Sequence, residues 1–208
     1  MRKVSHVILC LGMCVAGYFV LTGCRSQECA TSGSETTTPV AAEPAPAAPA
    51  PPAVEVPAGS VFRLDAGSSM AFTDSLANVW LPDQGFDGGD IIDRDPSTVI
   101  ENTKDAGLFL TEHYGMNSFS CKIPNGKYLA KLYFAETYEG IGGPEQRVFS
   151  FNVQGHEFKD FDVWVKAGGS NRAYVESVPV EVTNEIFRID FTTQTENPEI
   201  NAIEIIPQ

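Results

Sequence analysis

From Ser60 to the C-terminal Gln208, apolar residues recur at every second position, in runs bounded by Gly, Pro and Asn. Successive side chains of a strand point to opposite faces, so a period of two marks a half-buried sheet. Phe149, Phe151 and Val153 alternate with Ser150 and Asn152 before Gly155, and Phe187, Ile189 and Phe191 alternate with Arg188 and Asp190. Tyr128 to Phe134 is more continuously apolar, which predicts a strand covered on both faces, and Ile200 to Ile206 predicts a single closing strand. No amphipathic helix of useful length interrupts the series. Short strands with turn signals roughly every ten residues predict an all-β, jelly-roll-like β-sandwich with its loops gathered at the ends.

Residues 1–59 have a different character and are expected to stay outside that core. Met1, Arg2 and Lys3 supply a positive start, and no Asp, Glu, Lys or Arg follows until Arg25. The apolar run from Val7 to Leu21 is shorter than the roughly 20 residues of a membrane-spanning helix and matches the core of an export signal. Leu21-Thr22-Gly23-Cys24 resembles a bacterial lipobox, in which cleavage leaves a cysteine carrying diacylglycerol on its sulfur. The other reading is an uncleaved anchor helix with an incidental cysteine, and both readings put the protein outside the cytoplasm on a membrane. Pro39, Pro44, Pro46, Pro49, Pro51, Pro52 and Pro57 follow in close order, so the linker is expected to be an extended spacer rising about 3.1 Å per residue. The expected organisation is a signal peptide over 1–23, a lipidated Cys24 with a Pro/Ala-rich linker over 24–59, and one sandwich over 60–208.

Lys+Arg 14 against Asp+Glu 27 gives a net charge of -13, and cleavage before Cys24 removes Arg2 and Lys3 to leave -15. Such a surface repels phosphate backbones and other polyanions, so nucleic acid is excluded as a partner and the membrane is reached only through the lipid anchor. Of the remaining cysteines, Cys29 lies in the linker and Cys121 in a strand pattern; two inert thiols are the expected state, with a bridge between them the alternative.

Little in the chain suggests catalysis. His6 belongs to the signal, and His113 and His156 are far apart, which reads as two surface or strand-end residues. No carboxylate pair stands out from the acidic background as a glycosidase pair does. Asp87, Asp90, Asp93 and Asp95 crowd into GFDGGDIIDRDP with oxygen donors of the kind calcium takes, but without the ligand ladder of an EF-hand. An exposed acidic turn is the preferred reading and calcium the minor one. No enzyme activity, cofactor or metal is therefore expected.

The informative residues are aromatics at strand ends, where turn chemistry favours small polar groups. Phe86 is flanked by Gly85 and Asp87-Gly88-Gly89, Tyr114 precedes Gly115, Tyr138 sits in ETYEGIGG, and Glu196-Asn197-Pro198 precedes the last strand. A sugar ring presents an apolar C–H face and a rim of hydroxyls, so its site needs a flat aromatic platform with carboxylates or amides beside it. These loops contain both.

RLDAGSSMAFTDSLANVWLPDQGFDGG from Arg63 to Gly89, followed by LTEHYG, YLAKLYFAETY, RVFSFNVQG and ENPEINAIEI, closely resembles malectin domains over nearly all of Ser60 to Gln208. The resemblance implies a lectin-like β-sandwich that binds carbohydrate without catalysis, in the eukaryotic member a glucose-containing oligosaccharide. It maps binding roles onto Tyr114, Tyr138 and Glu196. Phe86 stands where the eukaryotic protein has a tyrosine, and Glu139 where it has a second aromatic. The expected protein is a lipoprotein of a bacterial outer membrane that holds neutral, glucan-type oligosaccharide through Phe86, Tyr114, Tyr138, Glu139 and Glu196. Its rival is a structural or protein-interaction module of an envelope complex, with the same loop aromatics as an interface hot spot.

Overall fold

A computed structural model of the protein describes residues 54–208. The expected signal peptide, Cys24, Cys29 and all but the end of the expected linker lie outside the described residues, which belong to one compact unit. In chain order the strands are β1 (Val54–Glu55), β2 (Phe62–Asp65), β3 (Phe72–Thr73), β4 (Val79–Trp80), β5 (Phe86–Asp87), β6 (Asp90–Asp93), β7 (Thr111–Tyr114), β8 (Ser118–Lys122), β9 (Gly126–Phe134), β10 (Val148–Val153), β11 (His156–Phe161), β12 (Tyr174–Val182), β13 (Ile186–Thr195), β14 (Glu199–Ile200) and β15 (Ala202–Pro207). Among the described residues helix is confined to a 3₁₀ turn, Ala106–Phe109, and the five-residue α1, Val163–Ala167. The described residues form the all-β sandwich that the alternation predicts.

One sheet runs β1-β8-β13-β10-β11, with β5 paired to β8, and the other runs β12-β9-β15-β2. Their facing side chains form one core. Phe119, Phe149, Phe151, Phe187 and Ile189 come from the first sheet, and Leu64, Ala130, Leu132, Phe134, Ile203 and Ile205 from the second. Rings interlock across the gap, with Phe62 and Phe119 centroids 6.2 Å apart and Phe134 and Phe149 centroids 6.3 Å apart. Cys121 is buried in this core, and burial pushes its thiol up to about 12, so it is chemically inert.

Two expectations need correction. β9 is not equally covered on both faces: Tyr128, Ala130, Leu132 and Phe134 are buried, whereas Leu129, Lys131 and Tyr133 on its other face are only half-buried. A second apolar cluster, built on Trp80, Ile100, Leu108 and Phe109, covers part of that outer face. The closing segment is also not one strand. It changes sheets at Asn201, so β14 pairs with β7 in a three-stranded sheet of order β14-β7-β6, while β15 enters the sandwich.

Asn201 makes that corner possible because its backbone and its amide each satisfy both sides. Its N–H donates to Tyr133 O at 2.9 Å and its carbonyl accepts from Ala66 N–H at 2.8 Å. Its side chain accepts from Ala135 N–H at 2.6 Å and donates to Thr111 O at 2.8 Å. A fully buried amide with these partners locks the small β14-β7-β6 sheet onto the end of the sandwich. That sheet carries the candidate site.

Candidate functional site

β7 reads Thr-Glu-His-Tyr, and both central residues are buried. Glu112 therefore lies beneath the surface while Tyr114, half-exposed, reaches the end of the sandwich where the loops meet. Tyr138 arrives from the segment after β9, Glu196 and Asn197 from the end of β13, and Arg94 from just beyond β6. These residues, with Ile92, Glu112 and Arg147, line one cleft of about 240 Å³.

Of the five residues singled out from the sequence, Tyr114, Tyr138 and Glu196 share this cleft and Phe86 and Glu139 are not part of its lining. Phe86 turns inward. Its ring stacks on His113 with centroids 4.0 Å apart and lies 5.1 Å from Phe119, closing the edge of the core. Glu139 is exposed to solvent just past Tyr138. His113 also departs from expectation, because it is buried, with Nδ1 2.6 Å from Asp83 Oδ2 and Nε2 3.0 Å from Gly88 O. It braces the loop that holds Phe86. His156 is exposed at the start of β11.

The Asp87 to Asp95 run is spread along two strands and a turn, and among the described residues no three His, Cys, Asp or Glu side chains converge as a metal site. Asp95 Oδ1 accepts from Ser97 N–H at 2.8 Å and Ser97 Oγ at 2.7 Å, hydrogen bonds that hold its carboxyl below the usual range.

Under the aromatic rim lies a layer of ionisable groups that the alternation pattern does not reveal. Arg94 donates through Nη2 to Glu112 Oε1 at 2.8 Å and through Nε to Thr137 Oγ1 at 3.0 Å, and that hydroxyl donates to Glu112 Oε2 at 2.9 Å. Arg147 donates through Nε to Glu136 Oε2 at 2.7 Å and through Nη1 to Asn197 O at 2.7 Å. Glu136 Oε1 also accepts from Tyr138 N–H at 3.1 Å. Two rim segments are thus tied to buried charges: Tyr138 through Glu136, and the Glu196-Asn197 turn through Arg147. The Arg94 guanidinium carbon lies 5.9 Å from the centroid of the Tyr138 ring, a cation–π arrangement that braces the platform.

Glu199 lies beneath this layer, wholly buried, with neither carboxylate oxygen hydrogen-bonded. Burial, reinforced by the nearby charge of Glu112, pushes its carboxyl well above the usual range. Burial also raises Glu136, against the pull of Arg147. Burial works against the charge on Arg147, but the surrounding carboxylates, Glu199 and Glu136 foremost, outweigh it and raise the guanidinium further. Arg94 and Arg147 thus face the carboxyls of Glu112, Glu136 and Glu199 beneath a rim that carries the exposed Glu196. Such a floor holds no surplus positive charge for an anionic ligand.

Gly140 sets the direction of the Tyr138 ring. A Cβ at Gly140 would sit 2.5 Å from a carbon of that ring, so only glycine lets the ring lie back across the loop. Glu196 adopts a left-handed backbone, φ 59°, which turns the chain sharply before Pro198 and leaves its carboxylate at the rim. Sequence reasoning missed Arg94, Glu112, Glu136, Arg147 and Glu199. The one legible signal was a charged residue at an apolar phase, as at Glu112 in Thr-Glu-His-Tyr and Glu199 before Ile200.

A family model, Malectin domain, matches residues 60–203. Among solved structures, Bacteroides uniformis β-glucuronidase is similar at 23% identity and a TM-score of 0.65, over 72% of this chain and 18% of that one. The ANX2 ectodomain from Arabidopsis thaliana is similar at 18% identity and a TM-score of 0.62, over 70% of this chain and 49% of that one. A structure of the plant peptide RALF23 in complex with FER and LLG2 contains a chain similar at 18% identity and a TM-score of 0.62, over 70% of this chain and 48% of that one. This chain therefore spans about a fifth of the enzyme and about half of the plant chains, and identities this low show a shared fold. No curated protein matches. With its motifs in order and the matched region covering more than half its length, the chain belongs to the Malectin domain family.

Proposed function

We propose that this protein is a non-catalytic carbohydrate-binding module of a bacterial cell envelope, tethered through lipid on Cys24 and displayed on the Pro-rich linker. The ligand is a neutral, glucan-type oligosaccharide held between Tyr114, Tyr138 and Glu196. The observation that carries this reading is the convergence of two tyrosine rings and a carboxylate, from three separate segments, on one cleft. Tyr138 is 45% exposed, which costs hydration free energy unless an apolar face covers the ring. A floor without surplus positive charge, and a net charge of -15 after cleavage before Cys24, favour a ligand without charge of its own.

An open cleft of this size suits a weak affinity, about millimolar to tens of micromolar, strengthened when several tethered copies engage one polymer. Titration calorimetry with maltose, nigerose and longer glucans, repeated on Tyr114→Ala, Tyr138→Ala and Glu196→Gln, tests it. Each change is expected to weaken binding several-fold, and full affinity in all three would move the site elsewhere. A second reading, protein interaction through the same aromatics, draws support from the similar plant chain in a peptide complex. It takes over if no glycan binds the wild type.

A further inference from the structure

A second cleft, of about 420 Å³, lies on the outer face of the β12-β9-β15-β2 sheet. Its floor is a cross-strand row in which Arg63 and Lys131 flank Glu204. The Glu204 carboxylate is nearly buried and takes three donors: Arg63 Nε at 2.8 Å, Lys131 Nζ at 3.2 Å and Tyr133 OH at 3.1 Å. Both Nη groups of Arg63 and the side-chain amide of Asn102 make no hydrogen bond among the described residues, and both residues line the cleft. The floor therefore offers oriented donors around a carboxylate already held in place.

The walls are preformed. One is the β3–β4 turn and the other the segment that carries Asn102, Thr103 and Asp105. Asp105 joins them by accepting from Ser75 N–H at 2.6 Å and Ser75 Oγ at 3.0 Å. Apolar surface stands beside the polar floor: the Tyr133 ring, braced edge-on by Trp80 at 5.3 Å, with Val175 40% exposed and Leu76 80% exposed at the rim. The same β6–β7 connection serves both clefts, leaving the first at Arg94, walling the second from Asn102 to Phe109 and returning to the first at Glu112.

We infer that this cleft is a second binding site for a neutral glycan. Two cations against the carboxylates of Asp74, Asp105 and Glu204 leave a slight negative excess that disfavours polyanions, and the charged floor disfavours a wholly apolar ligand. A polyhydroxylated chain satisfies both surfaces. Its hydroxyls accept from Arg63 Nη and Asn102, and its C–H faces lie against Tyr133, Val175 and Leu76. Binding here does not require the first cleft to bind sugar, although the choice of ligand class is shared with the function proposed above.

Amide resonances report the two clefts separately, with maltohexaose, laminarihexaose, cellohexaose and xylohexaose as probes. In a Tyr138→Ala protein, at least one hexaose is expected to give saturable shifts at Lys131, Tyr133, Val175 and Glu204. Val175→Trp, which fills the cleft from an exposed strand position, and Arg63→Met, which removes the Nη donors while Lys131 and Tyr133 still hold Glu204, should each weaken that binding about tenfold or more with the fold intact. The inference is overturned if no hexaose moves these amides, or if both variants bind like their parent. Shifts in the wild type confined to Tyr114, Tyr138 and Asn197 overturn the second site and leave the first standing. Shifts confined to Lys131, Val175 and Glu204 support the second site and remove the first.

Discussion

Arg147 and Glu136 form a buried pair whose Nε to Oε2 distance is 2.7 Å and whose side chains are 4% and 1% exposed. The pair joins two rim segments, because Glu136 receives Tyr138 N–H and Arg147 reaches Asn197 O. Removing one partner of a buried pair leaves an uncompensated charge, at a cost of about 3–5 kcal/mol. Arg147→Met is therefore expected to lower the unfolding free energy by about that amount in urea melts. Arg147→Met combined with Glu136→Gln should recover much of the loss, since no buried charge then stands alone. A double variant as unstable as the single one would contradict this account of the layer.

Gly140 should be a binding residue that never touches ligand. Because an added methyl meets the Tyr138 ring, Gly140→Ala is expected to swing the ring off the cleft and weaken glycan binding several-fold. Gly140 is exposed, so stability should change by less than about 1 kcal/mol. Calorimetric titration beside a thermal melt separates the two effects, and unchanged affinity would detach Gly140 from the site.

Stability should fall as pH rises from acid toward neutral. Asp65 is buried, and burial pushes its carboxyl from 3.8 up to about 7, against the hydrogen bond it accepts from Thr111. The unfolded chain loses this proton near pH 4 while the folded chain keeps it to about 7. The group's contribution is thus complete below the lower value and is lost as pH climbs through the upper one, at up to about 1.4 kcal/mol per pH unit. Glu136 and Glu199, also raised, act in the same direction. Urea melts between pH 4 and 8 should show the decline, and Asp65→Asn should reduce its slope.

On the proposed lipoprotein reading, the tether depends on the sulfur of Cys24. Cys24→Ser is expected to leave an uncleaved or soluble precursor, whereas the wild type should partition into detergent and carry the mass of a diacylglycerol. Fractionation with intact-mass measurement decides it, and normal processing of the serine variant would defeat the lipoprotein reading.

The sheet character of this chain is written in its residues, because alternation is a local property that each strand displays by itself: Phe149, Phe151 and Val153 face inward whatever their neighbours do. Strand-end aromatics could be read for the same reason, and Tyr114, Tyr138 and Glu196 needed no partner in sequence to stand out. Whether an aromatic faces solvent or core is not local. Phe86 and Tyr114 look alike beside their glycines, yet Phe86 is claimed by His113 and Phe119 while Tyr114 remains at the rim. The break at Asn201 depends on hydrogen bonds to Ala66, Thr111, Tyr133 and Ala135, distant in sequence, and only tertiary contact supplies them. The layer of Arg94, Glu112, Glu136, Arg147 and Glu199 is hidden for the same physical reason. A charge among many charges carries no mark of burial until the fold removes its water and supplies its partner.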